Sequence, residues 1–214
     1  MSEELEKMAT AIYDNMVPNK WTSAGYGHLS LKPLASWIED LEERINFLKN
    51  WYDNGTPNVF WVSGFFFPQA FLTSTMQNCS RGRKIAIDTL SFQFVLRDDL
   101  KYTDVTAKPE DGCLCYGMYL EGCKWDYNKH LLAESDPKKL FVELPLLHLL
   151  PVQDRVIPKT GIFNCPLYKV LSRSGTLLTT GHSTNFVCFM EIPSEESEDK
   201  WIKAGVACFL ALKF

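Results

Sequence analysis

The chain has 214 residues, 46% hydrophobic and 22% charged, with 22 Lys and Arg against 26 Asp and Glu for a net charge of −4. This balance excludes a disordered or fibrous polymer and disfavours nonspecific attraction to nucleic acid. A protein of this length buries roughly 70% of its unfolded surface, enough for a core without disulfides or metal.

In sequence order, the first pattern is a helix over about residues 3–16, with Leu5, Met8, Ala9, Ile12 and Met16 as its stripe and Pro18 after it. Leu34, Trp37, Ile38, Leu41, Ile45, Leu48 and Tyr52 then recur at spacings of three and four. Glu39, Asp40, Glu42, Glu43, Arg44 and Lys49 fill the remaining positions, which predicts an amphipathic helix packed on the apolar side. Pro33 suits its first turn, and Asn54-Gly55 supplies a left-handed stop.

Residues 58–96 carry the densest apolar pattern. Five of the nine residues from Val59 to Phe67 are aromatic, and each removes about 150–250 Å² from water when buried, so the segment belongs in a core or an interface. Trp61, Phe65, Phe66, Pro68 and Phe71 are the expected core residues. Ser63, Gly64, Pro68 and Gln69 interrupt the run, leaving it short of the roughly 18 residues a spanning helix needs. A second long helix opens at Pro68 and is expected to close at Gly82.

From Leu90 the apolar period becomes two, which marks a strand. Strand-like runs follow at 113–120, 140–149, 167–173, 185–192 and 205–214, making six with the first. Helices followed by strands, without βαβ alternation, predict an α+β fold: a helical lobe at 1–88 and an antiparallel β lobe at 89–214. The closing run VACFLALKF reads as a core strand, and the acidic loop Glu195, Glu196, Glu198, Asp199 as a solvated hairpin tip.

No catalytic template fits. Gly175 to Gly181 has five residues between its glycines and a following histidine, where a phosphate-binding loop needs four and a lysine. Ser63 lacks the glycines of a nucleophile elbow, since Trp61 and Phe65 hold those places. No local signature pairs Cys123 or Cys165 with His130. Cys113 and Cys115 share one face of a strand and read as core residues rather than zinc ligands. The histidines at 28, 130, 148 and 182 fall in four separate segments. Catalytic, cofactor and metal residues are therefore all expected to be none. Seven scattered cysteines suit a reducing compartment, and the acidic start MSEELEKM has no secretory h-region, so an intracellular protein is expected. Arg81, Arg83 and Lys84 form a compact basic cluster at a helix end, where the macrodipole favours positive charge.

The words of the sequence are more specific. VPNKW at 17–21, SLKPLASWIEDLEERINFLKNW at 30–51, FWVSGFFFPQAFLTSTMQN at 60–78, IDTLSFQF at 87–94 and YGMYLEGCKWD at 116–126 resemble the C-terminal domain of axonemal dynein heavy chains. LLAES at 131–135, CPLYKVLSRSGTL at 165–177, GHSTNFV at 181–187 and WIKAGVACFLAL at 201–212 extend the resemblance, of inner-arm type, to the end of the sequence. Lys124 stands in Gly122-Cys123-Lys124-Trp125-Asp126 where that family commonly has arginine, which weakens any bidentate contact there. The resemblance implies helices followed by an incomplete antiparallel β-barrel of about six strands, with no nucleotide or other cofactor site in the domain. It also implies a position against the AAA+ modules of the same heavy chain, in the cytoplasm and cytoskeleton of a ciliary or flagellar axoneme. Microtubules and other dynein subunits would be met only through the parent ATP-binding motor, and neither nucleic acid nor membrane is implied. Arg81, Arg83, Lys84, Glu39, Asp40 and Glu43 are the candidate ring-facing residues. The rival expectation is a free-standing barrel that binds a small apolar ligand or a peptide.

Overall fold

The structure, a computed structural model, describes residues 2–22, 28–158 and 160–212. Helix α1 spans Glu3–Tyr13, with the Ser2 hydroxyl accepting a hydrogen bond from the Leu5 amide. It stops before residue 16 because Asn15 turns left-handed at φ 56°. None of its residues is buried, so its apolar stripe does not enter the core. After the short α2 (Asn19–Thr22), α3 runs over Leu34–Asn54 and ends at Gly55, φ 83°. Pro33 lies just before its first turn, and the Leu34 amide donates to the Asn15 carbonyl at 3.0 Å.

α3 is rotated from its expected phase. Its buried residues are Leu34, Trp37, Asp40 and Arg44, and Phe47 and Trp51 pack on the core, whereas Ile38, Ile45 and Tyr52 are exposed. At 3.6 residues per turn the packed face sits about a quarter turn from the sequence stripe. Two features account for this. Phe47 and Trp51 carry large aromatic areas inward, and Asp40 and Arg44, four apart, neutralise one another on that face.

The aromatic segment forms β1 (Val59–Trp61), one turn of 3₁₀-helix over 62–64, and α4 (Pro68–Arg83), with Pro68 in its first turn. Phe65 stacks on Phe71 with ring centres 4.5 Å apart; Phe71 lies 4.9 Å from Phe60, and Phe60 meets Trp51 edge-on at 5.2 Å. The rings thus tie α3, β1 and α4 together, each pair contributing about 0.5–1.5 kcal/mol beyond its buried area. Pro68 is buried, and Trp61, Phe65 and Phe71 are half-buried. Phe66 does not belong to the core: it is 41% exposed, and only its edge meets the His28 ring. α4 continues through Gly82, and Lys84 takes the left-handed cap at φ 57°.

Ten further strands follow: β2 (Leu90–Arg97), β3 (Cys113–Tyr116), β4 (Tyr119–Glu121), β5 (Cys123–Asp126), β6 (Leu131–Glu134), β7 (Phe141–Glu143), β8 (Leu146–Gln153), β9 (Ile162–Val170), β10 (Phe186–Pro193) and β11 (Ala207–Ala211). Eleven described strands thus replace the expected six. They form three sheets, ordered β1-β3-β8-β2, β10-β9-β11-β4-β7 and β5-β6. Two pairings, β1 with β3 and β11 with β9, are parallel, contrary to the purely antiparallel expectation. The predicted run 113–120 breaks at Gly117, φ 89°, and the run 140–149 breaks at Leu144-Pro145. The acidic segment is not a hairpin tip: Glu198 and Asp199 form the first turn of helix α5 (Glu198–Lys203), between β10 and β11, which do not pair with one another. The helix buries Trp201, whose indole N–H donates to Ser194 Oγ at 2.7 Å. The last two residues of the predicted final strand, 213 and 214, lie outside the described residues. One hydrophobic core draws Phe60, Cys115 and Leu147 from the first sheet, Leu120, Cys165, Met190 and Cys208 from the second, and Trp125 and Leu132 from the third.

Candidate interaction surface

The residues weighed for chemistry are held in structural roles. Buried Ser63 donates its hydroxyl to the Gly117 carbonyl. The 175–181 segment is a turn between β9 and β10, where Leu178 N donates to His182 O and Gly181 N to Leu178 O. His130 Nδ1 lies 2.6 Å from Asp98 Oδ2 on the surface, whereas Cys123 and Cys165 are interior, so these three do not form a catalytic set. His148 Nε2 contacts the Asp111 carbonyl at 2.8 Å, and His182 stacks on Phe186 at 4.2 Å. Burial pushes the thiols of Cys123 and Cys188 up to about 12, far from the thiolate that a nucleophile or ligand needs. Cys113 and Cys115 lie with sulfurs 3.8 Å apart; the thiol hydrogen bond from Cys115 pulls Cys113 down, and burial raises Cys115. Among the described residues no group of three His, Cys, Asp or Glu could hold a metal ion. No described helix is long and apolar enough to cross a membrane.

Asp40, a candidate surface residue, instead anchors a buried polar cluster. Its Oδ2 lies 2.6 Å from both Arg44 Nε and His28 Nε2, and Oδ1 lies 3.1 Å from Lys32 Nζ. Arg44 also donates to the Phe65 carbonyl at 3.3 Å and sits over the Trp61 ring, 5.6 Å from its centre. His28 stacks on Trp37, whose indole N–H donates to the His28 carbonyl at 3.3 Å. Burial alone raises the Asp40 carboxyl, but hydrogen bonds with His28 and Arg44 and the charges of Arg44 and Lys32 outweigh it and hold the group well below the usual carboxylate range. The cluster ties the 28–32 segment, α3 and the 3₁₀ turn into one unit. Sequence patterning misses it, although the i,i+4 spacing of Asp40 and Arg44 is a visible signal.

The other candidates remain outside, Glu39 and Glu43 on α3 and Arg81, Arg83 and Lys84 at the end of α4. Glu39, Glu43, Arg81, Arg83 and Lys84 are exposed. Glu43 is within electrostatic reach of Tyr116 and Tyr119, whose phenols are raised chiefly by burial. Arg83 pairs with Asp111 at 2.5 Å at the rim of an open cleft of about 600 Å³. That cleft has an apolar wall of Trp51, Phe60 and Phe71 and a charged wall of Lys108, Glu110 and Asp111. The cavity at the centre of the core, lined by residues such as Val62, Met118 and Met190, holds only about 10 Å³. Lys124 pairs with Asp136.

The family model for the C-terminal domain of dynein heavy chains matches residues 1–210. The protein is 51% identical to dynein axonemal heavy chain 1 of Rattus norvegicus over 216 residues, which cover all of its own length and 5% of that relative. It is 48% identical to dynein axonemal heavy chain 1 of Homo sapiens over its full length, again 5% of the relative. Against dynein axonemal heavy chain 12 of Homo sapiens the identity is 45% over 99% of this sequence and 7% of that one. The 214 residues thus span about one-twentieth of the length of the heavy chain 1 relatives. A family match over nearly the whole length and relatives that are axonemal heavy chains lead to one conclusion: this protein belongs to the C-terminal domain family of dynein heavy chains.

Proposed function

We propose that the protein is a noncatalytic structural and regulatory domain of an axonemal dynein heavy chain, which braces the AAA+ modules of that heavy chain and so modulates microtubule-based movement. The observation that carries the reading is the pairing of one continuous core with exposed helical and charged surface on α3 and at the end of α4. A stiff body docked on a ring changes the free-energy difference between ring conformations, and about 1.4 kcal/mol of differential contact shifts such an equilibrium about tenfold. Arg81, Arg83, Lys84, Glu39 and Glu43 are the proposed ring-facing residues; Asp40 acts from within by fixing α3. Three sheets around one core support reading the β part as an incomplete barrel, and the division at 88/89 is kept as part of the same proposal. The axoneme of a cilium or flagellum is the proposed location, and ATP hydrolysis, microtubules and other dynein subunits belong to the parent motor.

The test is charge reversal in the complete heavy chain, with Arg81→Glu, Arg83→Glu and Lys84→Glu combined. Altered gliding velocity or processivity supports the reading, and unchanged motility sinks the assignment of the cluster. Specific ATP turnover by the 214 residues on their own would overturn the noncatalytic reading. The cleft beside Arg83 favours a second reading, binding of a peptide or small apolar ligand, since the 10 Å³ core cavity has no room for one.

A further inference from the structure

α3 carries an inward face, which includes the Asp40–Arg44 pair, and a second, apolar face that the core leaves largely open. The inward face is Trp37, Asp40, Arg44, Phe47 and Trp51. About 100° round the axis lie Ile38, Leu41, Ile45, Leu48 and Tyr52, spaced three, four, three, four, the period of a seam between two packed helices. Ile38 is 41% exposed, Ile45 51% and Tyr52 89%, with Leu41 and Leu48 half-buried on the shoulder between the faces. Glu42 and Lys49 border the open side of the stripe, at positions that form ion pairs across a helix pair. The relatives are about twenty times longer than this protein, so most of a heavy chain of this kind lies beyond the residues described.

We infer that the Ile38, Leu41, Ile45, Leu48, Tyr52 stripe is a docking seam for an amphipathic helix from another part of the same heavy chain. The occupant presents apolar residues at the same three-four spacing, a cation opposite Glu42 and an anion opposite Lys49. The inference deepens the bracing reading and rests on it, naming the surface and the kind of element that meets it.

The test places a benzophenone-bearing amino acid at position 38, 45 or 52, one at a time, in the full-length heavy chain, followed by irradiation and peptide mapping. Position 50 is the control, because Asn50 is exposed on the opposite side of α3. The expected result is crosslinking from 38, 45 and 52 to one segment of the same heavy chain outside these 214 residues, lost at 50. Crosslinks to a second copy, to a different polypeptide or within residues 2–212, equal yields at position 50, or no crosslink at all each overturn the inference. The charge-reversal motor assay fails independently. Expected crosslinks with unchanged motility remove the regulatory reading and leave the seam, while altered motility with crosslinks elsewhere removes the seam alone.

Discussion

Replacing Asp40 tests the buried cluster most directly. Asp40→Ala leaves Arg44, with 4% of its side chain exposed, facing a site with no carboxylate. Removing one partner of a buried ion pair costs about 3–5 kcal/mol, and the near-complete burial of both groups leaves little solvent screening to discount. At roughly 2–4 °C per kcal/mol for a protein of this size, the melting temperature should fall by about 6–20 °C. The double replacement Asp40→Leu with Arg44→Met removes the buried pair, and its stability should lie above that of Asp40→Ala but below wild type, because Lys32 and His28 still lose their partner. Because the folded-state carboxyl is depressed, its contribution is fully present above the unfolded value of about 3.9 and fades as pH falls toward the lower folded value. Urea titrations at pH 7 and at steps below pH 5 should therefore show wild type and Asp40→Asn converging as the solution is acidified. A loss under about 1 kcal/mol for Asp40→Ala at pH 7, or a constant gap between the two proteins down to pH 2, would refute the role assigned to the cluster.

Gly117→Ala should cost about 1–3 kcal/mol in denaturant titration, because φ is 89° and the added methyl would run into Ser63 Oγ and lie 2.6 Å from Trp61 Cδ1; an unchanged midpoint counts against that crowding. Trp201→Ala should cost about 3–5 kcal/mol and expose the 194–201 loop to protease, since the indole is 1% exposed and bonded to Ser194; equal protease resistance would contradict this. Deleting residues 205–212 should abolish soluble folding, as β11 fills the gap between β9 and β4 with five buried residues, and a truncated protein that still melts cooperatively would refute it.

The family was legible in nine ordered phrases, and the order of long helices and β segments in apolar spacing, because helical and strand periods are local properties of the backbone. Pro68 and Gly55 could be placed for the same reason, each acting through its own backbone angle. Which side of α3 faces inward was not local: Asp40 and Arg44 look like solvent residues until each supplies the other's counter-charge, with the 28–32 segment closing over them. Phe66 looks like its neighbours Phe65 and Phe71 in an aromatic run, yet the turn after Gly64 sends it outward. Parallel pairing of β1 with the distant β3, and insertion of β11 between β9 and β4, were likewise decided only in three dimensions, since strand partners are chosen by packing between remote segments. The exposed stripe on α3 joins the two levels. Its spacing is written in the sequence, but only the tertiary structure shows that the core leaves it uncovered.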